Sequence, residues 1–215
     1  KDLEGKKLGA PVFDAGRKSF PIFAKANNVG NVAWTSMDPP LRETMLVRGD
    51  VDAITGFGFT SILNLEARGV KAEDIVVMPY PQYGVKLYGN VIIAGEDFLK
   101  KNPEAVKRFL KAFSKGVKDV VADPKAGIAT VKARDGIINE ALELRRLQLC
   151  LDATVLTPDA RAEGFGNVLA PRLSLMASQV SDAFGTKDRI NPAAAWNGSF
   201  LPTEAERNIF AAVKK

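Results

Sequence analysis

The run Val51-Asp52-Ala53-Ile54-Thr55-Gly56-Phe57-Gly58-Phe59-Thr60-Ser61 restricts this chain more than any other stretch. A β-prone segment enters a glycine-spaced loop directly, and an apolar-periodic segment through Ile62, Leu63 and Leu65 predicts a helix beyond it. Arg48-Gly49-Asp50 supplies the helix end and turn ahead of the strand. Strand, glycine loop and helix present backbone N–H groups at a helix start, where hydrogen bonds and the helix dipole favour a small anionic or polar ligand. Gly56, Phe57, Gly58 and Thr60 are therefore candidate ligand-facing residues, although Phe57 and Phe59 read equally well as core. The Gly-x-Gly does not complete a dinucleotide fingerprint, because Ser61 stands where the third glycine belongs.

A second loop-to-helix corner precedes it. Leu8 to Phe13 reads as a strand, Asp14 as a cap, and Ala15 to Asn27 as a helical segment with Arg17 near its start. Pro21 fits if the regular helix begins near Ser19, since proline is tolerated in a first turn. Val32 to Met37, Ile75 to Met78 and Val91 to Ala94 are further expected strands, with a helix after Asp38-Pro39-Pro40. Short buried strands alternating with helices predict an α/β lobe with a parallel-type sheet over residues 1–94. Pro79 and Pro81 force an extended passage, in which Tyr83, Tyr88 and Asn90 suit a small-molecule cleft.

Residues 95–215 read as a helical segment. Asn102-Pro103-Glu104 is a helix start, and Val106, Phe109, Leu110, Phe113, Val117, Val120 and Val121 form one apolar stripe. Further helices are expected over Asp123 to Val131, Asn139 to Asp152, Pro158 to Asn167, Pro171 to Phe184 and from Thr203.

The chain has no histidine and a single cysteine, Cys150, set among leucines and read as a buried apolar residue. That removes histidine-assisted nucleophiles, histidine-ligated metals and an intrachain disulfide, so neither catalytic nor metal residues are assigned and no cofactor is expected. The net charge of +5 is spread along helices and mixed with acids, as at Lys107-Arg108 and Lys115 to Lys118, which argues for solvated faces and against nucleic acid. No run of apolar residues is long enough to span a membrane.

Four strings in order, Asp2-Leu3-Glu4-Gly5-Lys6-Lys7-Leu8-Gly9, Gly49-Asp50-Val51-Asp52-Ala53, Tyr83-Gly84 to Tyr88-Gly89-Asn90, and Asn102-Pro103-Glu104, resemble the solute-binding proteins of ABC importers. The branch is that of nitrate, sulfonate, taurine and thiamine-pyrimidine precursors. The resemblance implies a periplasmic-binding-protein-like (type II) fold and a periplasmic or lipid-anchored extracellular receptor. Such a receptor hands a small solute to a permease in the inner membrane. It also implies that residues 1–94 are the family's second lobe, that the first half of lobe one precedes Lys1, and that the helical part packs on that first lobe. Without that lobe the Phe109 and Phe113 face would be covered by a homodimer or by domain exchange. The ligand-facing positions it carries over are Asp14 to Arg17, Gly56 to Thr60, Tyr83, Tyr88 and Asn90; Gln82 replaces an acid common in relatives, which turns the expectation away from cationic ligands. A eukaryotic enzyme of the same broad family depends on a histidine and a cysteine-rich string, both absent here, so no enzymatic activity is expected. The rival readings are an effector-binding domain of a transcriptional regulator and an enzyme using Asp14 or Glu66 as base.

Overall fold

The computed structural model describes residues 1–213. The chain divides into two compact units, one of Lys1–Leu87 with Ser174–Ile190 and one of Tyr88–Leu173 with Asn191–Lys215.

The first unit carries the sheet. Strands β1 (Lys7–Gly9), β2 (Ala33–Thr35) and β3 (Ala53–Ile54) are all parallel, in the order β2-β1-β3. Leu8 pairs with Trp34 on one side and Ala53 on the other, so β1 is the central strand. Helices α1 (Ala15–Asn27) and α2 (Arg42–Val47) provide the connections that parallel strands require, and α3 (Gly58–Glu66) follows β3. Leu8, Phe20, Ile22, Phe23 and Val85 form the core, with Trp34, Met78, Tyr80 and Val180 packed around it.

Local chemistry explains the edges of these elements. The Asp14 side chain accepts from the Arg17 N–H at 2.8 Å, so α1 starts at Ala15, four residues before the position that Pro21 suggested. Pro21 therefore sits inside the helix, where it removes the N–H that would bond the Arg17 carbonyl. Buried Phe20, Ile22 and Phe23 around it supply the packing that outweighs that loss. Asn28 closes the helix in the left-handed conformation at φ 51°.

Ile75 to Met78 and Val91 to Ala94, expected as strands, pair with nothing among the described residues. Val76 is 84% and Ile93 87% exposed, so neither segment meets the packed neighbour surface on which strand preference depends. The other strands are also shorter than their β-prone runs, because pairing stops where the chain turns into the next helix.

The second unit is helical: α4 (Glu96–Lys101), α5 (Pro103–Ala122), α6 (Pro124–Arg134), α7 (Glu140–Cys150), α8 (Pro158–Glu163), the start of α9 (Ala170–Phe184), α10 (Pro192–Ala195) and α11 (Glu204–Arg207). The helix expected to begin at Asn102 is present as α5, but the Asn102 side chain makes no capping bond; its backbone joins α4 to α5. On α5 only Ser114 and Val121 are buried, while Phe109 and Phe113 remain exposed and stack at 6.3 Å. Cys150 is half-buried rather than a core residue, and its sulfur lies 3.5 Å from Thr154 Oγ1. No helix of the described residues is long and apolar enough to cross a membrane.

Candidate functional site

In an open parallel sheet the crevice lies outside the carboxyl ends of the strands, where the connections diverge to either side of one strand. Here that point is between β1 and β3: α1 leads from β1 to β2, and the chain then crosses back past β1 to β3. The loops at this edge are Ala10 to Asp14, Ser36 to Leu41 and Thr55 to Phe57.

Asp14 binds the edge together. Its Oδ1 accepts from the Arg17 N–H at 2.8 Å and from Thr55 Oγ1 at 2.6 Å, linking the start of α1 to the end of β3. Its Oδ2 lies 3.5 Å from Arg42 Nη1. Gly16 permits the approach, since a Cβ there would stand 2.9 Å from Thr55 Cβ. Tyr80 closes the turn from beneath: its ring stacks on Phe23 at 5.1 Å and its hydroxyl donates to the Gly16 carbonyl at 2.8 Å. Burial, and secondarily the Asp14 charge, push the Tyr80 phenol far above its ordinary range, so it is a fixed donor.

Arg17 and Arg42 differ in what their guanidinium groups have left to give. Arg42 donates through Nη1 to the Thr55 carbonyl at 3.0 Å and through Nε and Nη2 to Glu43 Oε1 at 3.2 Å each. Arg17 lies over the Trp34 ring at 4.8 Å and donates only through Nη1, to the Ala10 carbonyl at 3.0 Å and Ser36 Oγ at 2.9 Å. Its Nε and Nη2 meet no acceptor among the described residues, and neither do the N–H groups of Ala15, Gly16, Gly58 and Phe59. A guanidinium held over an aromatic face with open donors is suited to an oxyanion, because the fork matches a carboxylate or sulfonate.

The structure thus gathers Asp14, Arg17, Gly56, Phe57, Gly58 and Thr60 on the loops and helix starts at one strand edge, with different duties. Gly56 has its side-chain space filled by Arg42, whose Nη1 would lie 2.6 Å from an added Cβ. Gly58 opens α3, and the Thr60 N–H bonds the Phe57 carbonyl at 2.9 Å. Phe57 is 50% exposed and stacks on half-buried Phe59 at 5.2 Å, so the pair is partly core and partly surface.

Tyr83 stands apart from this edge. Its ring packs on Phe23 at 5.5 Å, about 12 Å along α1 from the first turn at the usual rise per residue. Tyr88 and Asn90 belong to the second unit. The Tyr88 hydroxyl accepts from the Leu169 N–H at 2.8 Å and its ring lies under Arg172 at 4.4 Å, while Asn90 is exposed. Sequence reading missed Trp34, Ser36, Arg42, Glu43 and Tyr80. Only Tyr80 carried a signal, in the prolines on either side of it.

Sheets of this kind take ligands at this crevice, which makes this edge of the α/β unit the candidate binding edge. By comparison with known families it belongs to the family described as NMT1/THI5 like, whose model matches residues 1–127. That is the family of nitrate/sulfonate/taurine and thiamine precursor binding proteins, binding proteins in general, and it gives the chain a solute-binding role. No curated protein matches the chain.

Proposed function

We propose that this protein is the non-enzymatic substrate-binding component of an ABC-type importer, one that captures a small organic anion or heterocycle and delivers it to a membrane permease. The observation that carries the reading is Arg17, fixed by Trp34, Ala10 and Ser36 with its Nε and Nη2 open. An incoming carboxylate or sulfonate would replace water on that fork and on the amides of Ala15, Gly16, Gly58 and Phe59, with Phe57 against its apolar body. Asp14, Thr55 and Arg42 hold those groups in place. No step of covalent chemistry is required.

In this reading the unit of Lys1–Leu87 with Ser174–Ile190 is a type II lobe that gives the cleft one wall. Closure about the bound solute sequesters it. The protein works in the periplasm or lipid-anchored outside the cell. Exposed Phe109 and Phe113 are the surface through which two copies would pair or exchange segments.

Native mass spectrometry of the purified chain, before and after denaturation, tests the reading. A released anion or heterocycle of defined mass is the expected result. A chain that releases nothing, and whose melting temperature is unmoved by nitrate, taurine, alkyl sulfonates and aryl sulfonates at millimolar concentration, overturns it.

A further inference from the structure

Glu43 is 1% exposed, an unusual place for a carboxylate, and it faces none of the groups left open to a ligand. Its Oε1 accepts from Arg42 Nε and Nη2 at 3.2 Å and from Ser61 Oγ at 2.7 Å. Ser61 is in the first turns of α3, whereas Arg42 reaches the Thr55 carbonyl and Asp14, the cap of α1. Two adjacent residues of α2 thus hold the starts of both helices that flank the β1/β3 crevice. A hydrophobic pair of similar volume would offer comparable stability without fixing hydrogen-bond geometry, so the polar network is better explained by position than by stability.

We propose that Arg42 and Glu43 are positioning residues that couple the first turn of α1 to the first turn of α3, so that the ligand-facing groups of the two loops move as one body. Their importance for ligand rests on the receptor reading above; the coupling itself does not. Removing the Glu43 charge loosens Ser61 directly. It also frees Arg42 to leave Asp14 and Thr55, so disorder at α3 is transmitted to α1.

Residue-resolved amide exchange on the full chain tests this at the bonded amides of Arg17 and Lys18 on α1 and Thr60 and Ser61 on α3. Glu43→Gln keeps the shape and is expected to speed exchange at all four by about tenfold, the equivalent of one hydrogen bond. Amides deeper in α1, from Phe23 to Lys25, should stay as in the wild type. Arg42→Lys keeps the charge but cannot reach three partners at once, and is expected to give a smaller rise at both helices. Acceleration on α3 alone, equal acceleration throughout the unit, or wild-type behaviour of Arg42→Lys each overturns the proposal. A parallel melting experiment with benzenesulfonate separates the two readings. A stabilising shift in the wild type that shrinks in Glu43→Gln supports both. A wild type that does not respond removes benzenesulfonate as a ligand and leaves the exchange result to decide the coupling.

Discussion

The Thr55 hydroxyl donates to Asp14 Oδ1 at 2.6 Å, joining residues 41 positions apart at the point where β1 and β3 release their helices. Asp14 is thereby a helix cap, a strand-end partner and one pole of the Arg42 ion pair. Asp14→Ala removes all three. The cap alone is worth about 1 kcal/mol, and a largely buried guanidinium left without its partner adds to that, so a total loss of about 2–4 kcal/mol is expected in urea unfolding. Asp14→Asn, which keeps the cap acceptor, should lose less than Asp14→Ala.

Gly16→Ala introduces a Cβ at 2.9 Å from Thr55 Cβ, a branched atom that cannot swing aside. The first turn of α1 must then back away from β3. A destabilisation of about 1–3 kcal/mol is expected, although alanine is the better helix former. A melting temperature equal to or above the wild type would show that the two elements have slack.

Arg17→Gln leaves the core untouched, because the side chain covers Trp34 from the solvent side and holds only Ala10 and Ser36. Stability should fall by no more than about 1 kcal/mol, the scale of a typical hydrogen bond. Affinity for an anionic solute should drop about ten- to hundredfold, as for a lost charge-assisted bond, while a neutral analogue is affected far less. Isothermal titration with both ligands distinguishes charge pairing from loss of shape.

Tyr80 gives an alkaline signature. Its phenol is raised above the unfolded value of 10.0, so its contribution to stability is complete below pH 10 and is lost as pH rises beyond that. Tyr80→Phe should therefore leave the 295 nm titration of the folded chain below pH 11 unchanged. The variant also removes the second hydrogen bond at the Gly16 carbonyl, at a cost of about 1 kcal/mol near neutral pH.

Glu206 gives an acidic one. It completes a capping box with Thr203 at the start of α11 and pairs with Lys111 at 2.6 Å. The Lys111 hydrogen bond first, then the Thr203 backbone and side-chain bonds, lower its carboxyl from 4.5 to about 2. The stabilisation is present above pH 4.5 and is lost as pH falls towards 2. Carboxyl NMR should place the Glu206 midpoint well below the ordinary glutamate range, and Lys111→Met should bring it back up.

The α/β class, β1 to β3, α1, α3 and α5 were legible because each leaves a local mark: a β-prone run, an Asp cap, a glycine turn, an apolar stripe. Of the candidate edge, Asp14, Arg17 and Gly56 to Thr60 lie on those same local marks. Arg42 and Glu43 do not, since nothing in Leu41-Arg42-Glu43-Thr44 distinguishes a buried charge pair from the solvated face of a short helix. Burial depends on the neighbours that α2 meets in space. Ile75 to Met78 and Val91 to Ala94 failed in the opposite sense: strand-forming composition is present, but a partner strand is a property of the fold.

The division of labour between Arg42-Glu43 and the three loops has an evolutionary consequence. Arg42 and Glu43 lie on α2, apart from Arg17 and Phe57, which would touch a solute. Substitution at Arg17 or Phe57 can therefore redirect selectivity from one anion to another while the frame is inherited unchanged. Descendants of such a chain can diverge in diet without having to reinvent their architecture.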